Sequence, residues 1–393
     1  MANQEIMEKI EDFYRLKDTW TEEEVDVADT VRRFVDREVM PHAGEWWQAG
    51  EFPRHLIPQL GTLGVLGPTL PEAYGGSGLS PLAYGVMMQE LERGDSGLRS
   101  FASVQGGLAM YAIYRYGTEE QKRTYLPRMA RGELIGCFGL TEPDAGSDPA
   151  AMTTRAAKDG DFYVISGAKR WITNGHLADI AVIWAKDDAG IVRGFIVPTD
   201  APGFHAVPIR TKASMRMSAT SELYLDHVKI PQSYQLPDAR GLGAPLSCLT
   251  QARYGIVWGT IGAALDALTE AALYAKSRVA FGKPIAATQL VQAHIVDMES
   301  QLVTMQLLAR QLGHLYADHT LRYAHVSLAK RHNARAALMI ARQAREILGG
   351  NGISTEYHSM RHAANLETVD TYEGTYEIHT LIVGRDLLQE DAF

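Results

Sequence analysis

A carboxylate stands near the end of the chain in Asp-Thr-Tyr-Glu-Gly-Thr, residues 370–375, with Glu373 between Tyr372 and Gly374. A helical pattern precedes it and an apolar run follows. A residue without a side chain beside the acid leaves room for a ligand to come close. Gly-Leu-Thr-Glu-Pro-Asp-Ala-Gly-Ser-Asp, residues 139–148, joins the Thr141 hydroxyl to a proline turn, two small residues and Ser147. Free N–H groups in such turns bind anions. Lys-Arg-Trp-Ile-Thr-Asn-Gly, residues 169–175, sets Trp171 two residues from Thr173 at the end of a strand-like run. In a regular strand those side chains share one face, so an aromatic ring and a hydroxyl could flank a planar ligand. Each stretch also has a plain structural reading, as an interdomain turn or as core packing.

Other chemistries lack their residues. The Gly-x-Gly spacings at 75–78 and 241–243 do not lead from a strand into a helix as a dinucleotide fold requires, and there is no GxxxxGK[ST] phosphate loop. No GxSxG serine elbow occurs. His358 and His362 could share a helix face, but neither an HExxH pattern nor a cluster of acids accompanies them, so packed or surface histidines are expected and no metal site. Lys and Arg number 38 against 47 Asp and Glu, a net charge of −9, which disfavours nucleic-acid binding. Cys137 and Cys248 are too few and too far apart for a disulfide framework, which fits a reducing compartment. No run of about 18 consecutive apolar residues marks a membrane span. The acid-rich N-terminus resembles neither a mitochondrial presequence nor a secretory signal. A processed mature form reads the same way, so cytoplasm or mitochondrial matrix is the expectation.

Three zones must position these stretches. Residues 1–136 carry apolar residues at helical spacing, with Thr21 an N-cap and Glu24 three residues on. Residues 137–242 hold short β-rich runs, with 185–197 a hairpin, and predict a small antiparallel sheet. Residues 243–393 return to long helices with apolar stripes and predict a bundle. The fold class is mainly α with a central β domain.

Five motifs in register carry a resemblance: CFGLTEPDAGSD, RWITNG, RVAFGKPI with Gln289, EILGGNGIS and TYEGT. Together they resemble the acyl-CoA dehydrogenase family of flavoproteins over nearly the whole chain. Within that family the likeness is greatest to glutaryl-CoA dehydrogenases, through ELERGDSGLRS, SVQGGL and the stretch from Ala341 to Arg385. The resemblance implies a helical N-terminal domain, a β middle domain, a C-terminal four-helix bundle, bound FAD and a homotetramer. It assigns Glu373 as catalytic base, its N–H and a ribityl hydroxyl holding the thioester oxygen. It assigns Phe138, Leu140, Thr141, Ser147, Trp171, Ile172, Thr173, Gly349, Gly350 and Thr375 to FAD. Arg278, Phe281 and Gln289 match positions that hold the ADP half, often from a neighbouring subunit. Ser147, Arg253, Tyr254 and Gly374 match the acyl-CoA channel, with Ser103 added to the substrate set. Arg99 and Ser100 match positions for the far carboxylate of a dicarboxylic acyl chain, and Glu92 is expected on the same helix and face as Arg99.

The implied reaction is α,β-dehydrogenation of glutaryl-CoA, with electrons passing to an electron-transfer flavoprotein. Tyr372 matches the branch that also decarboxylates to crotonyl-CoA; another branch stops at glutaconyl-CoA. Leu98 departs from the pattern, because relatives commonly carry tyrosine there. Another short-chain or dicarboxylic acyl-CoA is the alternative substrate.

Overall fold

The computed structural model describes residues 2–391. The first segment is helical: α1 Ala2–Glu11, α2 Glu22–Phe34, α3 Ala43–Ala49, α4 Ile57–Leu63, α5 Pro81–Gly94, α6 Ser96–Ser103, α7 Tyr111–Tyr116 and α8 Glu119–Ala130. Side-chain caps set several of the starts. The Thr21 hydroxyl accepts from Glu24 N at 3.3 Å, as its spacing predicts. Ser80 caps α5 ahead of Pro81, and Thr118 with Gln121 forms a reciprocal capping box on α8. Widened π-type turns at Val104–Met110 join α6 to α7.

The middle segment is one sheet: β1 Gly136–Gly139, β2 Arg155–Asp159, β3 Phe162–Thr173, β4 Ile180–Lys186, β5 Val192–Pro198, β6 Phe204–Pro208, β7 Thr220–Pro231 and β8 Gln235–Leu236. The order is β6-β7-β3-β2-β4-β5-β8, with β1 beside β4. The expected β4–β5 hairpin is present in antiparallel register. Antiparallel pairing dominates, but β1 runs parallel to β4 and β2 meets β4 in parallel, so the sheet is mixed. On β4, Val182 and Trp184 face the N-terminal helices, while Ala181, Ile183 and Ala185 face a separate core on the other side. That is the two-residue period of a strand buried on both faces.

The last segment is α9 Gly243–Ser277, a small hairpin of β9 Val279–Ala280 and β10 Lys283–Pro284, then α10 Gln289–Ala317, α11 Tyr323–Ile347, α12 Ser359–Thr371 and α13 Tyr376–Leu388. By length and composition α9 could cross a membrane. It is instead the core helix of the described fold: every residue from Ala252 to Gly262 is buried, so all its faces are covered. One core runs continuously through α2, α5, α9, α10 and α11, fusing the two helical segments. His358 and His362 are packing histidines that share Asp266 Oδ2 at 2.9 and 3.0 Å. Among the described residues no group of His, Cys, Asp and Glu could hold a metal ion.

A polar pin joins all three segments. Asp95 separates α5 from α6 and caps α6 through Gly97 N at 2.7 Å. Its other oxygen accepts from Arg361 at 2.7 Å and from Asn365 at 2.9 Å, both on α12. Asn365 Oδ1 in turn accepts from Trp47 Nε1 at 2.8 Å and from Met215 N at 2.9 Å. Asp95 and Arg361 are both buried. Asp95→Ala leaves a buried guanidinium without its counter-charge and is expected to destabilise the protein by about 3–5 kcal/mol. The check is the denaturation midpoint; an unchanged value would mean that water replaces the carboxylate.

Candidate active site

The Tyr372–Thr375 turn closes α12 and opens α13, and its backbone is unusual. Glu373 has φ +52° and Gly374 φ +105°. A β-carbon on Gly374 would lie 2.8 Å from His379 Nε2 and 3.4 Å from Arg253 Nη2, so glycine is required here by space as well as by φ. Arg253 of α9 donates Nε to the Glu373 carbonyl at 2.6 Å. Lys330 of α11 donates to the Gly374 carbonyl at 2.8 Å. The Thr375 hydroxyl accepts from Ile378 N at 3.2 Å and so caps α13, which leaves its own O–H as a donor.

The Glu373 carboxylate opens onto a cavity of about 1360 Å³, yet its Oε2 is sealed and accepts no hydrogen bond from any described residue. Burial raises its pKa above the ordinary carboxylate value, while Arg99, Arg253 and Lys330 pull it back. A volume this large exceeds that of a site for one drug-sized ligand and suits two ligands side by side.

The sheet supplies one wall. Phe138 and Leu140 come from β1 and the turn after it, then Thr141 and Ser147, then Trp171, Ile172 and Thr173 from the end of β3. A bulge between Lys169 and Ile172 puts Trp171 at φ +62°. The regular alternation expected of Trp171 and Thr173 is therefore broken, and three successive residues reach the cavity instead of two. The 139–148 turn closes on itself through Glu142 and Ala145. It is braced from below: buried Lys169 donates to Leu140 O at 3.0 Å and to Glu142 Oε1 at 2.8 Å. Glu142 also accepts from Thr153 and Thr154 N. Burial pushes the Glu142 pKa up, but Lys169 and these donors prevail and hold it at about 2.

The helices supply the other wall, with Ser100, Arg253, Tyr254 and the Tyr372–Thr375 turn. Arg99 and Glu92 do not line the cavity; they lie behind it, both fully buried. Nor are they on one helix, since Asp95 ends α5 and starts α6. The break still brings them together, with Arg99 Nε 2.6 Å from Glu92 Oε2. Ser96 donates to the other Glu92 oxygen at 2.9 Å. Arg99 Nη2 bonds the Tyr372 hydroxyl, and Nη1 is buried without a partner among the described residues. Gly259 of α9 makes room for the pair, because a β-carbon there would meet Glu92 Oε2 at 2.1 Å. Ser103 is buried outside the lining.

Arg278, Phe281, Gln289, Gly349 and Gly350 are all exposed and do not line the cavity of a single chain. Phe281 is fully exposed at the tip of the β9–β10 hairpin, at φ +52°. Sequence reasoning missed Lys330. Its signal was a lysine on the buried stripe of α11, in line with Val326, Asn333, Ala337 and Ala341.

Profiles of one family match in order: Acyl-CoA dehydrogenase, N-terminal domain, at residues 21–133, the middle domain at 137–228 and the C-terminal domain at 239–388. The crystal structure of glutaryl-CoA dehydrogenase from Mycobacterium smegmatis superposes with a TM-score of 0.96 at 52% identity, over 98% of this chain and 99% of that one. A glutaryl-CoA dehydrogenase of the same species in complex with FADH2 gives 0.95 at 50% identity, over 97% and 98%. The mitochondrial short-chain specific acyl-CoA dehydrogenase of Homo sapiens is 34% identical over 368 residues, 92% of this chain and 89% of that protein.

The cavity fits a flavin. Trp171 is left 53% exposed on the wall, an aromatic face that a planar ring would cover. Thr141 and Thr173 present hydroxyls beside it, and a β-carbon on Gly146 would meet nothing, so the turn leaves open space for a ligand. With the Glu373 turn and that wall lining one cavity and three domain profiles matched in order, the chain belongs to the acyl-CoA dehydrogenase family and is an FAD-dependent acyl-CoA dehydrogenase.

Proposed function

We propose that this enzyme dehydrogenates glutaryl-CoA between its α and β carbons and releases carbon dioxide to leave crotonyl-CoA. The observation that carries the reading is Arg99. A fully buried guanidinium with one nitrogen unpartnered stands directly behind Tyr372 and Glu373, where a shift of the Tyr372 side chain would open it to a carboxylate at the far end of a short acyl chain. Buried carboxylates need a charged partner, and guanidinium offers paired N–H donors. The likeness to glutaryl-CoA dehydrogenases supports the same substrate.

Glu373 takes the α-proton. Its sealed oxygen and raised pKa make it a stronger base than a solvated glutamate. Its own N–H is the donor proposed for the thioester oxygen as enolate charge develops. FAD supplies the acceptor for the hydride from the β-carbon. The remaining carboxyl is then vinylogous to a β-keto acid, and loss of carbon dioxide leaves a dienolate delocalised into the thioester. Protonated Glu373 returns the proton. A substrate carboxylate beside the neutral Arg99–Glu92 pair would leave a net buried negative charge, which favours departure of neutral carbon dioxide.

The exposed segment from Arg278 to Gln289 is proposed to complete the ADP half of the FAD site of a neighbouring copy in a homotetramer, with Gly349 and Gly350 contributing to the same site. Reduced enzyme is proposed to pass its electrons to an electron-transfer flavoprotein.

A second reading is a dehydrogenase of short monocarboxylic acyl-CoA. It is favoured by Arg99 being neutralised already by Glu92 and by apolar Leu98, fully buried next to it. Holoenzyme mixed with glutaryl-CoA and an artificial electron acceptor decides. Crotonyl-CoA with carbon dioxide is the expected product. Accumulated glutaconyl-CoA would remove the decarboxylation, and turnover of butyryl-CoA alone would favour the second reading.

A further inference from the structure

The turn that bears Glu373 is held by two buried cations from two different helices. Arg253 of α9 takes the carbonyl of Glu373 itself. Lys330 of α11 takes the carbonyls on either side, Gly374 O at 2.8 Å and Asp370 O at 3.1 Å. Asp370 lies in the last turn of α12, where carbonyls lack helical partners, and Gly374 lies in the turn after the helix. Lys330 thus spans the segment that contains the acid.

Lys330 is 1% exposed, and lysine is almost never buried so fully without a specific partner. It does not line the cavity, and its ammonium is spent on two backbone carbonyls. Glu373 meanwhile holds a left-handed conformation that is unfavourable for a non-glycine residue. Such strain persists only where the surroundings over-determine it. Two cation-to-carbonyl bonds bracketing one residue do that.

We infer that Lys330 is the positioning residue of the base, clamping Asp370 and Gly374 to fix Glu373 in its left-handed conformation and setting a buried positive charge behind the carboxylate. This rests on the reading of Glu373 as base.

Several charged groups face Lys330. Asp370 and its partner Arg335 lie on α12 and α11, with Asp370 and Arg335 2.7 Å apart. Tyr372 presents its ring 6.0 Å from the ammonium. Glu373 follows in the turn, Arg253 stands on α9, Arg99 on α6 and His379 on α13. Burial draws the Lys330 pKa down to about 7; Asp370 and Glu373 oppose that, and Arg253 and Arg99 add to it. The charge on Lys330 and the charge on Glu373 therefore stabilise each other.

The test compares K330M, K330Q and E373Q holoenzymes with the wild type, reading kcat and KM for acyl-CoA against pH. K330M is expected to lose about 100-fold in kcat through misplacement of the acid, with KM little changed. Loss of the cation makes the carboxylate harder to form, so the acidic limb of kcat/KM should move up by about one pH unit or more. K330Q keeps N–H donors without charge, so it should show the same limb shift with part of kcat restored. A limb that stays put in both K330M and K330Q, alongside an inactive E373Q, overturns the inference about Lys330 alone. Should K330M fail to fold, the K330Q limb decides. An active E373Q overturns the base assignment on which the inference stands.

Discussion

Glu373→Gln is expected to lower kcat by about 10⁴-fold while the protein still binds FAD and acyl-CoA. Glutamine matches glutamate in size, so the turn, its glycine and the two cations beneath it stay in place. What is lost is the ability of the carboxylate to accept a proton from substrate in the cavity that it lines. No second acid lines the cavity within the same turn, and Glu367 sits a full helix turn or more away on α12. The pH dependence follows from the sign of the shift. Burial raises the Glu373 pKa, so the protonated, inactive form persists to higher pH than for a solvated glutamate. The wild-type kcat/KM therefore rises with pH through a limb above the usual carboxylate range. Rapid-mixing measurement of flavin bleaching by substrate checks both points. Bleaching of the Gln variant at the wild-type rate would sink the assignment.

Much of this site was legible in the sequence because its parts are local. A cap such as Thr21, a hairpin such as β4–β5 and a Glu-Gly step each announce themselves within a few residues. The fold order followed from where helical and alternating patterns change. What escaped was set by tertiary contact. Trp171 and Thr173 looked like strand neighbours because a bulge leaves no mark in composition. Glu92 and Arg99 have one-face helical spacing, yet Asp95 divides them and spends its carboxylate on Arg361, more than 200 residues along the chain. Lys330 reads as one more charged helix residue until its stripe is counted, and the two carbonyls it holds belong to another helix end. Arg278, Phe281 and Gln289 were matched by motif, but no single chain brings them to the cavity.

Removal of the Arg99–Glu92 pair is expected to separate the two candidate substrates. Arg99→Ala alone is a poor probe, since it leaves Glu92 buried without its partner and the cost of that falls on the fold. A paired change, R99M with E92M, removes both charges and fills similar volume, an exchange that buried ion pairs often tolerate. The space left by Gly259 accommodates the sulfur-containing side chains only if they keep to the path of the originals. In this variant a terminal carboxylate loses the buried guanidinium proposed to meet it, a contact of the kind whose truncation costs about 2–5 kcal/mol. Glutaryl-CoA turnover should fall accordingly, by about 30-fold to several thousand-fold in kcat/KM. Butyryl-CoA has no charge to lose, and its apolar end gains apolar surroundings, so its kcat/KM should hold or rise. The ratio of the two constants is the decisive quantity, because any general damage to Glu373 or the flavin wall lowers both together and cancels. A ratio that does not move means that Arg99 serves Tyr372 and Glu92 only, and that the acyl chain ends short of it.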